Sequence, residues 1–126
     1  MIVFLGRNRA RNTFFPNNTL IGRIFKTEAA LERNIRDLQD YIVESYFLEE
    51  VDFRVVNEDT ESRFVYRVID NSNAWIDRTK SSYQDSGYIC NNRTIAESLK
   101  TTYMNNFPDV LHEDLTTITF KLTRRN

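Results

Sequence analysis

Three stretches of this chain, 51–57, 63–69 and 116–123, alternate apolar with polar residues. In the second, Phe64, Tyr66 and Val68 oppose Arg63, Val65, Arg67 and Ile69. In the third, Ile118, Phe120 and Leu122 oppose Thr117, Thr119 and Lys121. Successive side chains on a strand point to opposite faces, so a period of two calls for a sheet with a packed face. The polar link 58–61 between the first two runs predicts a β-hairpin. Near the start, the apolar runs 2–5 and 20–25 flank Phe14-Phe15-Pro16-Asn17-Asn18, whose residues favour a turn. These runs predict a second hairpin.

Between the strands the spacing changes. Ala30 or Leu31, Ile35, Leu38, Ile42 and Tyr46 recur every three or four residues, which predicts a helix over 28–47 capped by Thr27. Ile95, Leu99, Tyr103 and Phe107 predict a second helix starting near Asn92 or Thr94. Thr94-Ile95-Ala96-Glu97 has capping-box spacing, and Pro108 stops the run. Residues 109–115 fit one further helical turn. The least regular region is 70–87. There 77–86 reads as a long polar loop, and Tyr88-Ile89-Cys90 is a short apolar piece.

From residue 20 the order is strand, helix, strand, strand, helix, strand. The expected fold class is therefore α+β, a single domain over 1–126. An antiparallel sheet of four to five strands would carry two helices on one face. The order matches the split, ferredoxin-like βαββαβ arrangement, here with an extra N-terminal strand. A meander of four or five strands with helices at one end is the competing layout. In either case the other sheet face can stay open, and the strand register decides which residues line it.

Charge is sorted along the chain. Residues 1–27 hold Arg7, Arg9, Arg11, Arg23 and Lys26 and no acid, a net of +5. Residues 28–62 carry a net of −8 and residues 63–126 a net of +2, so the total of −1 hides a two-signed molecule. Such asymmetry points to a charged partner. Thirteen arginines against four lysines favour planar, bidentate or stacked contacts. The single cysteine, Cys90, allows no internal disulfide and agrees with a reducing, cytoplasmic location. The apolar start, 1–5, is too short for a membrane span.

Four candidate surfaces follow. In the arm Arg7-Asn8-Arg9-Ala10-Arg11-Asn12 an extended backbone would put the three arginines on one face, fit to grip phosphates. Arg124 and Arg125 would extend this patch if the last strand lies beside the first. The same pattern also suits a charged edge strand that resists edge-to-edge pairing, or a clamp onto the protein's own acidic helix. In the second surface Arg63, Tyr66 and Arg67 could stack and hold nucleotides from an open sheet; the alternative is ordinary core packing. The third gathers Arg78, Lys80, Tyr83, Asn92 and Arg93 around a helix start, an anion or nucleotide-ligand site, or else only a capped helix after a loop. The fourth is the acidic stretch with Glu49, Glu50, Asp59 and Glu61, which can contact a basic partner or simply solvate a surface.

Catalytic readings find less. His112 is the only histidine, lying beside Glu113 and Asp114, and Cys90 has no base placed near it in the sequence. No catalytic residue, metal site or cofactor is expected. Small Asn- and aromatic-rich chains of this kind resemble accessory proteins of phages and other mobile elements in general character, with no motif carrying the resemblance. The expected function is that of a small non-enzymatic regulator or inhibitor. It would bind a host protein or a nucleic-acid-binding complex through segregated charged faces. Direct binding of RNA or DNA by the arginine arm and open sheet is the alternative, and binding of a nucleotide ligand the third. No membrane partner is expected, and a homodimer stays open.

Overall fold

A computed structural model describes residues 1–16, 22–52, 62–70 and 86–125. Strand β1 (Ile2–Asn8) is followed by β2 (Gly22–Phe25), helix α1 (Glu28–Asn34), β3 (Tyr41–Glu50), β4 (Ser62–Ile69), β5 (Ser86–Ile89), α2 (Arg93–Asn106) and β6 (Thr116–Arg124). The strands form one six-stranded sheet in the order β4-β6-β3-β1-β2-β5, with antiparallel neighbours throughout.

The sheet curls until its two edges meet. Tyr66 of β4 and Cys90, just past β5, exchange backbone hydrogen bonds of 3.0 and 2.8 Å. Closure removes edges that would otherwise invite pairing with other chains. The nearly closed barrel is filled by Val3, Leu5, Ile24, Leu48, Val65 and Leu122, with Phe14, Tyr46 and Ile89 completing the cluster. Fully burying each large apolar side chain contributes about 1.5–3 kcal/mol, which makes this interior the main source of stability.

The helices cover separate stretches of the outer face. Ala30 and Leu31 of α1 pack with Phe25, against Phe4 and Val43 of the sheet. Ala96, Leu99 and Tyr103 of α2 pack on Val68 and Cys90, with Tyr66 and Tyr88 at the margin. Thr27 caps α1 by accepting the Ala30 N–H at 3.1 Å, as its position predicts.

Several expectations are corrected. The sheet has six strands, and their order differs from the ferredoxin-like one. Residues 28–47 are not one helix: α1 ends at Asn34, whose side-chain amide donates to Ala30 O at 2.7 Å, and β3 begins at Tyr41. The periodicity misled because the first part of β3, through Tyr46, packs on both faces. Glu44, Tyr46 and Leu48 point into the barrel, while Tyr41 and Val43 point outward under α1. Burial on both faces erases the apolar–polar alternation that marks a strand. Strand β4 pairs with β6; the other arm of the expected hairpin falls mostly in residues 53–61, which lie outside the described residues. The expected pairing of the first two strands does form, through Phe4 and Phe25. Helix α2 is capped by Asn92, which accepts the Ile95 N–H at 2.9 Å. Glu97 does not close a capping box; it accepts from Thr117 Oγ1 at 2.9 Å and pairs with Lys100 Nζ at 3.2 Å. This ties α2 to β6.

Candidate functional site

Arg7 and Arg124 are separated by most of the chain, yet they converge on one carboxylate. Register explains how. Arg7 stands opposite Ile42 on β1–β3, and Arg124 opposite Tyr46 on β3–β6, so both flank Glu44 of the strand between them. Arg7 Nε donates to Glu44 Oε1 at 2.7 Å, and Arg124 Nη2 lies 2.8 Å from Oε2. Tyr46 Oη donates to Oε1 at 3.0 Å and accepts from Arg7 Nη2 at 3.4 Å. The Glu44 side chain is only 4% exposed. A carboxylate this buried persists only when its lone pairs are satisfied, and here three donors do so.

Packing holds the cluster together. The Arg7 guanidinium lies 4.3 Å from the centre of the Phe14 ring, and Phe14 meets Tyr46 edge-on with centroids 6.1 Å apart. Phe14 can sit there because Gly22 has no side chain: a Cβ on Gly22 would come within 2.6 Å of Phe14 Cβ. Burial works to lower the Arg7 pKa, but the hydrogen bonds to Glu44 and Tyr46 prevail and raise it above its ordinary value. Burial, reinforced by the Glu44 charge, raises the Tyr46 phenol despite the opposing Arg7 hydrogen bond.

The arginine arm is a turn, not an extended segment. Asn8 Oδ1 accepts the backbone N–H groups of Ala10 and Arg11 at 3.0 and 2.9 Å, and Asn12 adopts φ 56°, a left-handed conformation that Asn tolerates. The chain then doubles back, and Phe14 bridges to Arg7. Arg7, Arg9 and Arg11 therefore do not share a strand face. Arg9 Nε donates to Gln39 O at 3.0 Å, while Arg11 stands exposed at the tip. The condition for Arg124 and Arg125 to extend the arm, a last strand beside the first, is not met: β3 lies between β6 and β1, and Arg124 meets Arg7 only across Glu44. Arg125 donates to Ser45 Oγ at 2.9 Å and stacks 5.4 Å from the Phe47 ring centre. Arg124, Arg125, Ser45, Glu44, Val43 and Ile42 line a cleft of about 230 Å³.

At the other end of β3, Glu49, Glu50 and Asp52 are exposed. From Glu44 to Glu50 the strand spans about 20 Å, twice the Debye length of about 8–10 Å in physiological salt. The two ends therefore act as separate electrostatic surfaces. Asp59 and Glu61 lie outside the described residues.

The remaining candidates fare differently. Arg67 is 4% exposed inside the curl, with its guanidinium 5.0 Å from the Phe120 ring centre, and Tyr66 packs beneath α2. Neither face of β4 is open at these residues, because the sheet curls around one and α2 covers the other. Arg63 stays partly exposed, with Nη2 3.5 Å from Asn91 Oδ1. Burial pulls the pKa of Arg67 down, although a guanidinium stays charged at neutral pH. Asn92 spends its side chain on the cap and Arg93 opens α2, while Arg78, Lys80 and Tyr83 lie outside the described residues. Burial pushes the Cys90 thiol up to about 12, far from a reactive thiolate. His112 is exposed in a short 3₁₀ turn. Among the described residues no three His, Cys, Asp or Glu side chains gather into a metal-binding group, and no helix is long and apolar enough to cross a membrane.

Sequence reasoning placed Glu44 at the head of the acidic stretch and Tyr46 on the apolar face of a helix, and so missed their meeting with Arg7 and Arg124. The only signal was a lone acid among apolar neighbours. No family model matches the chain, and no curated protein or solved structure matches it.

Proposed function

We propose that this protein is a non-enzymatic binding protein that engages a protein partner through the outer face of β1, β3 and β6. The observation that supports this reading is the layout along β3. An arginine rim lies at its start and exposed acids at its end, and between them is a patch covered by neither helix. In that patch Ile2 and Phe47 face one another in register, both well exposed, with Arg125 stacked on Phe47. Aromatic and arginine side chains dominate contact patches between proteins, and charged rims steer the approach. A regulator or inhibitor would act by occupying such a partner without chemistry; the buried, protonated thiol of Cys90 accords with that role.

Purification of the tagged protein from its native host tests the reading. The wild type should retain a partner through nuclease treatment, and Phe47→Asp or the pair Glu49→Lys with Glu50→Lys should release it while melting normally. Equal retention by these variants would overturn the proposal. A second reading, direct RNA or DNA binding, is favoured by the convergence of Arg7 and Arg124 beside Arg125. It predicts a steep loss of affinity with salt. It is the weaker reading because Arg7 and Arg124 are already engaged by Glu44.

A further inference from the structure

The outer side of β3 carries a graded strip. Glu44, Tyr46 and Leu48 point into the barrel, so alternation turns Ser45, Phe47 and Glu49 outward. Phe47 stands in the middle, 48% exposed, with Ile2 beside it on β1, 40% exposed, and Thr123 beside it on β6. Two residues to one side is Ser45, where Arg125 is held by its bond to Ser45 Oγ and its stack on Phe47. Arg125 starts on β6, but the stack draws its guanidinium above β3, into line with Glu49 rather than Lys121. Two residues to the other side is Glu49, exposed. Among the described residues no acid forms a salt bridge with Arg125 and no cation forms one with Glu49. The strip therefore reads positive, apolar, negative, over about 13 Å along the strands and about 10 Å across them.

We infer that this strip is a contact between two copies of the chain. Reversing its direction exchanges its charges, so it is its own complement. A two-fold axis lying in the contact plane and crossing β3 at Phe47 sets a second copy face to face, with its β3 running the other way. Phe47 and Ile2 then pack on their counterparts, and each Arg125 meets Glu49 of the other copy, once on either side of the axis. Facing sheets pack about 10 Å apart, a gap that an arginine and a glutamate side chain span together. Such a contact uses the same residues on both copies and closes at two, whereas a partner of another kind has to supply the reversed order of charge from its own surface. The area is small, so the association is weak and set by concentration. The inference rests on the reading of this face as a protein contact and names a second copy as its occupant. Pairing covers the face, so a host partner competes with the second copy for it.

Sedimentation of the purified protein over a concentration series reads this contact. The mean mass should rise from one chain toward two by ~1 mM, and Phe47→Asp should abolish the rise. Arg125→Glu sets acid against acid, and Glu49→Lys sets cation against cation. Each alone should weaken the association roughly tenfold or more, since like charges face each other twice. An equal mixture of these two variants should recover it, because each then offers the charge that the other lacks. All three substitutions fall on exposed side chains, and melting curves check the folds. A chain that stays monomeric at ~1 mM overturns the inference. So do single variants that associate like the wild type, a mixture that recovers nothing, and masses that grow beyond two copies. If the protein is monomeric while Phe47→Asp still releases a native partner, the second copy falls and the protein-binding reading stands. If the mixture restores the dimer while no variant releases a host protein, the dimer stands and the regulator reading falls.

Discussion

Strand β3 carries three glutamates with opposite fates. Glu44 is buried between two arginines and a phenol, whereas Glu49 and Glu50, one and two residues beyond Leu48, stand in solvent. The difference follows from what surrounds the strand at each end. At its start, the doubled-back turn after β1 and the end of β6 bring Phe14, Arg7 and Arg124 over the barrel mouth. At its far end β6 supplies Lys121 and Phe120 across the ladder, and among the described residues nothing covers the acids. Identical side chains thus serve as an internal clamp in one place and as a free charged surface in the other. Burial depth, not residue type, decides which.

Removing the buried acid is the severest way to break that contrast. Glu44→Ala leaves two guanidinium groups without their carboxylate. Losing one partner of a buried pair costs about 3–5 kcal/mol, and the partial exposure of both arginines puts this case near 3 kcal/mol. Urea denaturation reads it, and a loss below about 0.5 kcal/mol would mean that Glu44 behaves like any surface acid. Gly22→Ala asks whether packing or charge positions the cluster. The added methyl must displace Phe14 and with it the ring under Arg7, an overpacking cost of about 1–3 kcal/mol. An unchanged melting temperature would show that Phe14 can give way freely.

Tyr46→Phe sharpens the comparison further. It deletes one hydrogen bond to a charged acceptor, worth about 1.5 kcal/mol. It also changes the response to alkali. The Tyr46 pKa is raised in the folded state, so the phenol contributes stability that is present below its unfolded value of 10.0 and lost as pH rises beyond it. Wild-type stability should therefore fall above pH 10 more steeply than that of the variant; parallel pH profiles would contradict this placement of the phenol. The smallest effect belongs to the opposite end. Glu49→Lys with Glu50→Lys should change stability by no more than about 0.5 kcal/mol while altering partner capture, since exposed charges contribute little to folding.

Parts of this arrangement were legible in advance. Strands β4 and β6 announced themselves because each buries distinct residues on a regular period, and α2 because Ile95, Leu99 and Tyr103 share one face with Pro108 beyond its end. The charge asymmetry was equally plain. Strand β3 was not, since packing on both faces and a buried glutamate gave it a pattern that a helix also satisfies. Asn8 hid the turn: an arginine at every second position reads as a strand until one side chain captures two backbone donors and reverses the chain. Strand β5 was too short, at four residues, to register as more than an apolar fragment.

Local pattern alone determined that this chain mixes strands with a capped helix, keeps its sheet antiparallel, and concentrates positive charge at its front and negative charge behind it. Only the tertiary structure decided that the sheet curls to bring β4 against Cys90, that Arg7 and Arg124 meet on Glu44, and that β3 lies between β1 and β6. Propensity and periodicity act over a few residues. Register, closure and ion pairing join residues far apart in the chain, and their free energies exist only once the intervening segments are placed.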